Sequence, residues 1–161
     1  MQNVIPNFTM WSAILREFEG FRANAYKDSG SVCTVGFGST YNYTAKRKVQ
    51  MGDVVTLLEA INWMQFEFQE TVRLANAYIK QPLNAAQSTA ICDYIYNRGI
   101  GNFLKTNLDE LINANPNDPA IGNEIRATGL WDRLHNMLNG LVRRRKCEAN
   151  LYFTGLVKLN F

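Results

Sequence analysis

The chain has 161 residues, an apolar content of 47 % and a formal net charge of +3 at pH 7. This length suits one folded domain that buries about 70 % of its unfolded surface, and the composition is that of a globular protein. The mild positive charge is more often surface composition than a sign of an anionic partner, so we predict no nucleic-acid partner.

Cysteine and histidine usage limits the classes of site. The cysteines are Cys33, Cys92 and Cys147, an odd number without paired short spacings, which suits a reducing cytosol better than a disulfide framework. His135 is the only histidine and there is no CxxC or HExxH pattern, so we predict neither a metal nor a cofactor. Residues 1–7 lack a basic-then-apolar signal, and no apolar run approaches the roughly 18 residues of a membrane span.

The first predicted element is an amphipathic helix. Asn7 or Thr9 suits its N-cap, and Gly20 suits its C-terminal exit. We therefore expect Glu19 on the last turn, beside an apolar face rather than out in solvent. The apolar stripe follows the i, i+3, i+4, i+7 spacing at Trp11, Ile14, Leu15 and Phe18.

A small antiparallel sheet is predicted between Ala25 and Tyr43. Residues 28–30, Asp-Ser-Gly, form a turn signal, and residues 32–35 are β-prone. The glycines and polar residues that follow favour further short strands or loops.

A long helix is predicted next. Thr56 and Glu59 have the spacing of a capping box, and apolar residues continue with a period near 3.6 as far as Ile79. Extended to Lys80, this helix would be about 35 Å long, enough to connect two lobes. Gln81-Pro82 ends it.

Shorter helices are predicted for the rest of the chain. Asn84 to Gln87 is typical of a helix start, and that helix stops at Arg98-Gly99. Another short helix begins at Thr106. Further helices are predicted at 120–128, 131–138 and 141–153.

The predicted architecture is a single α+β domain that spans residues 1–161. About 20–55 form a small β-containing lobe, and about 56–80 form the connecting helix. Residues from about 81 to 161 form a larger helical lobe together with the N-terminal helix.

Three residues of the N-terminal part are candidates for chemistry, although each also has a purely structural interpretation. Packed near Phe18 and Phe21, a Glu19 carboxyl would favour its protonated form and could donate a proton; otherwise it is a helix-end residue in a surface ion pair. Asp28 either accepts hydrogen bonds from its own turn or, kept ionised by them, faces positive charge on a sugar ring. Thr34 is either simply β-prone or holds a water molecule. Two acids in such different surroundings suit glycoside hydrolysis.

The spacing of these residues resembles the catalytic segment of the phage-type lysozymes. Glu19 is followed after eight residues by Asp28, after five more by Thr34, and then by Gly-x-Gly. The family includes the T-even phage lysozyme and the lambdoid endolysins of glycoside hydrolase family 24. The resemblance spans roughly Phe8 to Gly155 and continues, in the family's order, through Glu59-Ala60 with Glu67, residues 82–87, residues 97–103, and residues 140–145 with Glu148 and Leu151.

The resemblance implies a lysozyme-like fold and hydrolysis of the β-1,4 bond between N-acetylmuramic acid and N-acetylglucosamine in peptidoglycan. By position, Glu19 would be the general acid, while Asp28 and Thr34 would position and activate a water on the opposite face of the sugar. That is an inverting arrangement.

Two further residues are carried over by position. Arg144 matches the family arginine that approaches the catalytic glutamate, and we expect its neighbours in the run 143–146 to be simply solvated. Asn97 matches a position that lines the family's cleft.

The sequence departs from the family pattern at one position. Ser39 stands where members commonly have histidine after Gly-x-Gly, so an ion pair with Glu67 is replaced at best by a Ser39–Glu67 hydrogen bond. We expect this change to lower the stability of the small lobe rather than to remove activity. Cys33 has no nearby activating histidine, and we interpret it as a packed thiol.

The sequence thus predicts a monomeric muramidase that acts on a peptidoglycan glycan strand. It would be made in a host cytoplasm without a signal peptide, reach the wall through a holin-type release and lyse the cell. Two alternatives stay open. A lytic transglycosylase would leave 1,6-anhydro ends and would not need the water that Asp28 and Thr34 suit. A catalytically weak or inactive wall-binding or virion-associated module would bind peptidoglycan without clearing it.

Overall fold

The computed structural model describes residues 2–28, 30–130 and 137–161. It confirms the α+β class, with short strands near the N-terminus and helices elsewhere. Helix α1 is Phe8–Phe18, and the Asn7 side chain caps it by accepting a hydrogen bond from the Met10 backbone. Its buried residues are Trp11, Ile14 and Leu15.

The predicted antiparallel strands are present, and they form two separate pairs rather than one continuous sheet. β1 is Arg22–Lys27 and pairs with β2, Cys33–Gly36. β3, Tyr41–Asn42, pairs with β4, Arg47–Lys48. The break has a backbone cause, because Gly36 at the end of β2 and Gly38 after it have φ of +70° and +95°, a region that does not continue a strand.

Helix α2, Leu57–Tyr78, is the predicted long helix. Its capping box is present, since the Thr56 side chain accepts from the Glu59 backbone and the Glu59 carboxylate accepts from the Thr56 backbone. The N-terminal half packs against the hairpins through Trp63, and the C-terminal half packs against the other helices through Ala75. The helix is therefore shared by two apolar clusters.

Helix α3, Ala85–Arg98, lies at the centre of the helical part. An Asn84–Gln87 capping box begins it, as predicted, and every residue from Gln87 to Ile95 is buried. Gly99, with φ of +77°, separates it from α4, Ile100–Phe103, a short helix that the sequence pattern did not predict.

The remaining helices are α5, Leu108–Ala114, α6, Pro119–Ala127, and α7, Asn139–Thr154. Of these, α7 packs against both α3 and α6, and α6 packs against α5. Residues 131–136 of the predicted helix 131–138 lie outside the described residues, and Leu138 is the N-cap of α7. No helix in the described ranges combines the length and the apolar character that crossing a membrane requires.

Candidate active site

A cavity of about 490 Å³ lies between the hairpins and the helices. Glu19 from the end of α1, Asp28 after β1, Thr34 of β2 and Asn97 of α3 all line it. Four of the five predicted site residues therefore face one space. Arg144 lies behind Glu19 instead of on the cavity wall.

Glu19 is the first residue after α1 and keeps a helical backbone, so it is the C-cap rather than part of the last turn. Its carboxylate pairs with Arg144, and its side chain is 22 % exposed. On the other side, a Cβ placed on Gly38 would be 3.2 Å from Glu19 Oε2. The carboxylate is thus held between a backbone turn and the cation that the family resemblance had implied.

Asp28 accepts hydrogen bonds from its own turn, as the Asp-x-Gly signal indicates. The backbone N–H groups of Gly30 and Val32 both donate to Asp28 Oδ1, each at 2.8 Å. These bonds fix the orientation of an otherwise exposed carboxylate. Thr34 lies opposite Tyr26 in the hairpin, and its hydroxyl donates to the Val32 carbonyl at 3.1 Å.

Arg144 is held by a buried ion-pair network. Its Nε and Nη2 donate to the two carboxylate oxygens of Asp93, both at 2.9 Å, and its Nη1 donates to Glu19. Burial opposes the charged form of Arg144, but Asp93, Glu19 and Glu148 outweigh it and raise the arginine pKa. Burial likewise opposes ionisation of Asp93, and the charge and hydrogen bonds of Arg144 outweigh it and lower the Asp93 pKa.

Arg145 contradicts the expectation that the neighbours of Arg144 are solvated, because its side chain is completely buried. It donates to Glu148 Oε1 at 2.6 Å and to Asn97 Oδ1 at 2.8 Å, and its guanidinium lies over the Tyr94 ring. The physical reason is the position of α7, which packs two successive arginines against α3, where acidic and aromatic side chains receive them.

Glu148 completes this network from the same helix as the two arginines. Burial raises its pKa well above the ordinary value, although Arg145 opposes the shift. Its Oε1 accepts from Arg145, whereas its buried Oε2 has no hydrogen-bond partner among the described residues. Arg144 and Arg145 are thus each paired with a buried acidic side chain, which is the arrangement that buried charges require.

Glu67 lies on the cavity wall beside the Gly38 turn. Tyr96 Oη is 3.2 Å from Glu67 Oε2 and 3.1 Å from the Phe37 carbonyl oxygen. Burial raises the pKa of Glu67 to about 7, while hydrogen bonds from Ser39 and Tyr96 oppose the shift. Ser39 thus acts on Glu67 as the sequence suggested, and the Tyr96 hydroxyl is the partner that lies at hydrogen-bond distance from the carboxylate.

Sequence reasoning missed Asp93 and Tyr96, which connect the site to the helical part. A signal for Asp93 was available, because it is the one charged residue within the otherwise apolar and aromatic run from Ala90 to Ile95. No comparable signal identified Tyr96, since an aromatic residue in a helix usually indicates core packing.

A family model described as phage lysozyme matches residues 16–148, which include all the residues placed above. The chain belongs to the phage lysozyme family. Membership makes it a glycoside hydrolase of the lysozyme type.

Individual phage endolysins are also similar to this chain in sequence and in structure. An endolysin of Acyrthosiphon pisum secondary endosymbiont phage 1 is 27 % identical over 144 residues, which cover 86 % of this chain and 92 % of that protein. The endolysin of Salmonella phage P22 is 26 % identical over 140 residues, covering 87 % and 92 %. The solved structure of an endolysin from Escherichia coli O157:H7 phage FAHEc1 superposes with a TM-score of 0.83 at 25 % identity and covers 98 % of this chain and 97 % of its own.

Proposed function

We propose that this phage lysozyme hydrolyses the β-1,4 bond between N-acetylmuramic acid and N-acetylglucosamine of peptidoglycan with inversion at the anomeric carbon. The observation that carries this proposal is the common cavity of Glu19, Asp28 and Thr34, which come from a helix end, a turn and a strand. A glycan in this cavity would have a proton donor and a water-holding pair within its reach.

Glu19 is the general acid in this mechanism. Arg144 positions it, because one guanidinium nitrogen donates to the Glu19 carboxyl and fixes its rotamer. Asp93 engages the other nitrogens of Arg144 and offsets most of its charge, so Arg144 acts mainly as an orienting donor. The Glu19 proton then passes to the leaving glycosidic oxygen as the bond breaks.

Asp28 and Thr34 hold the attacking water on the opposite face of the sugar. The hydroxyl proton of Thr34 is directed to the Val32 carbonyl, which leaves lone pairs of its oxygen to accept a hydrogen bond from water. One hydrogen of this water is hydrogen-bonded to the Thr34 oxygen. Asp28 accepts the other as a proton when the water oxygen attacks the anomeric carbon. Asn97, whose Oδ1 accepts from Arg145, presents its NH2 group to the substrate.

The remaining assignments extend this proposal. Residues 1–161 act as one catalytic domain, with the lobes and the connecting helix at the bounds that the sequence predicted. The protein acts on a glycan strand as a monomer and has no nucleic-acid partner. The enzyme folds in a host cytoplasm and reaches the wall through a holin-type release. Its three cysteines, which are free thiols, suit a reducing compartment.

The test is Glu19→Gln, with Glu17→Gln as the matched control on the same helix. Glu17 pairs with Arg143 outside the cavity. We expect Glu19→Gln to slow the clearing of permeabilised cells by about 10²–10⁴-fold with an unchanged circular dichroism spectrum, because the proton donor is lost. Glu17→Gln should clear at the parent rate.

Analysis of the wild-type products decides the reaction. Reducing ends released first as the α-anomer support inverting hydrolysis. Release of the β-anomer would overturn inversion, and 1,6-anhydro ends would identify a transglycosylase instead. A folded Glu19→Gln protein that clears walls at the parent rate would remove Glu19 from the acid role.

A further inference from the structure

We propose that Tyr41, Tyr43 and Phe66, here called the aromatic strip, form an additional saccharide-binding subsite that extends the glycan groove beyond the catalytic cavity. The inference rests on the proposed function, because it assumes that a glycan strand occupies the cavity of Glu19. It adds a ligand-binding surface that lies at the β3–β4 hairpin and the outer face of α2.

The three rings form a continuous series. The Tyr41 and Tyr43 ring centroids are 5.1 Å apart and meet edge to face, while Tyr43 and Phe66 are stacked with centroids 5.3 Å apart. Trp63 supports Tyr43 from the core side and is itself buried. The strip is thus a surface anchored to the core.

The outer members of the strip are accessible to solvent. Phe66 is 52 % exposed and Tyr41 is 39 % exposed. A cluster of exposed aromatic area has a free-energy cost in water, and such clusters commonly mark binding surfaces. Phe66 also lies on a helix that has already buried Trp63 and Met64, so core packing does not account for its identity.

Polar groups around the strip match a sugar ligand. A second cavity, of about 390 Å³, has Tyr43 and Phe66 on its wall together with the side chains of Thr44, Asn62 and Gln65. Aromatic faces suit the C–H face of a pyranose ring, while amides and hydroxyls suit its hydroxyl and N-acetyl groups. Burial, followed by the nearby Glu67 charge, raises the pKa of Tyr43 to about 12, so its hydroxyl keeps the proton as a donor at neutral pH.

Continuity with the catalytic cavity identifies the occupant as the same glycan strand. Tyr43 lines both cavities, and Tyr41 lines the catalytic one. A polymer that fills the space beside Glu19 therefore meets the strip as it leaves the cavity. An oligosaccharide too short to reach Phe66 gains nothing from it, so the strip predicts affinity that depends on glycan length.

The test measures binding of chitooligosaccharides of increasing length, and of soluble glycan strands, by calorimetry in the Glu19→Gln background. We expect Phe66→Ala and Phe66→Leu to weaken binding of the long ligands by about tenfold and to leave the shortest bound ligand unaffected. Phe66→Tyr should retain the affinity, because it keeps the aromatic face that leucine lacks. Tyr78→Ala is the matched control, since Tyr78 is 40 % exposed on the same helix and outside both cavities.

The outcomes separate the subsite from the proposed function. Unchanged long-ligand affinity in Phe66→Ala, an equal loss for short and long ligands, or an equal loss in Tyr78→Ala overturns the subsite. The analysis of the wild-type products tests the hydrolase mechanism without reference to the binding measurements. If the enzyme releases reducing ends but Phe66 has no length-dependent effect, only the subsite fails. If it releases none, the hydrolase mechanism fails.

Discussion

Gly38 brings backbone against the carboxylate of Glu19, at a position where any side chain would be strained. Its φ is +95°, and an added Cβ would be 3.2 Å from Glu19 Oε2 and 3.4 Å from Tyr96 Oη. The positive φ strains any residue that has a side chain, and the short distances mean that the side chain would push against the proposed acid. The second glycine of Gly-x-Gly therefore has a role in the geometry of the site.

Gly38→Ala should lower activity by about 10²-fold, because a displaced Glu19 no longer matches the substrate geometry. Gly52→Ala is a matched control: its φ is +94°, but an added Cβ there has no atom within 4 Å. Both variants should lose about 1–2 kcal/mol of stability through the left-handed backbone. Urea unfolding and a turbidity assay measure the two effects, and equal activity losses in both variants would refute the contact with Glu19.

Glu67 is the group that makes the fold pH-sensitive near neutrality. The Tyr96 hydroxyl has one proton but two oxygen neighbours, Phe37 O and Glu67 Oε2. A protonated Glu67 donates to Tyr96 and leaves the Tyr96 proton for the Phe37 carbonyl, so both contacts are satisfied. The charged groups around it are Glu19 and Glu70, with Tyr43 and Tyr96 as further titratable neighbours.

The stability contributed by this proton should be full below pH 4.5 and should fall as the pH rises to about 7. The unfolded carboxyl releases its proton near 4.5, whereas burial raises the folded pKa to about 7, so the folded state binds more protons in that window. Between pH 4.5 and about 7, the free energy of unfolding of the wild type should therefore fall with rising pH relative to that of Glu67→Gln, which cannot ionise. Glu70→Gln, on the same helix, is the control and should show the same fall as the wild type. Parallel curves of unfolding free energy against pH for the wild type and Glu67→Gln would contradict the role of Glu67.

At the scale of the element, α2 is held at its N-terminus by a reciprocal cap. Thr56 Oγ1 accepts from the Glu59 backbone at 3.2 Å and donates to Glu59 Oε2 at 2.7 Å. These bonds satisfy donors that would otherwise have no partner at the start of the helix. Since α2 contacts both apolar clusters, the cap stabilises the helix that connects them.

Thr56→Ala should lower the free energy of unfolding by about 1 kcal/mol. Activity at room temperature should be unchanged, because the cap lies outside the catalytic cavity. Thr56→Ser retains the hydroxyl and should recover most of the stability. Thermal and urea unfolding measure the difference, and an alanine variant as stable as the serine variant would show that the cap contributes nothing.

At the scale of the whole molecule, one buried network connects three helices to the site. Arg144 on α7 joins Asp93 on α3 to Glu19 at the end of α1. Arg145, also on α7, reaches Asn97 on α3 through Nη2. The packing of the helices against one another thereby sets the orientation of Glu19 in the cavity.

Asp93→Asn should cost about 3–5 kcal/mol, because it leaves the buried charge of Arg144 without its main partner. Glu148→Gln should cost less, about 1 kcal/mol, because burial disfavours the charged carboxylate and the amide oxygen can still accept from Arg145. Both residues are buried acids in the same network, so each is the control for the other. Equal destabilisation of the two variants in urea unfolding would contradict this difference.

The sequence by itself determined the elements and the candidates whose cause is local. The caps at Asn7, Thr56 and Asn84, and the hydrogen bonds of Asp28 to its own turn, depend on neighbours within a few residues. The family motif pointed to Glu19, and its catalytic role remains a prediction.

Tertiary structure decided what depends on contacts between distant segments. Arg145 seemed solvated because a run of basic residues is normally a solvated face, and only the packing of α7 on α3 shows that it is buried. Arg144 and Glu19 are 125 positions apart, and the Tyr96 contact with the Phe37 carbonyl spans 59. The family resemblance had implied that Arg144 approaches Glu19, whereas the partners of Arg145 and Tyr96 came only from the fold. The physical reason is that side-chain periodicity indicates which face of a helix is apolar but not which charged or polar group meets that face across the core.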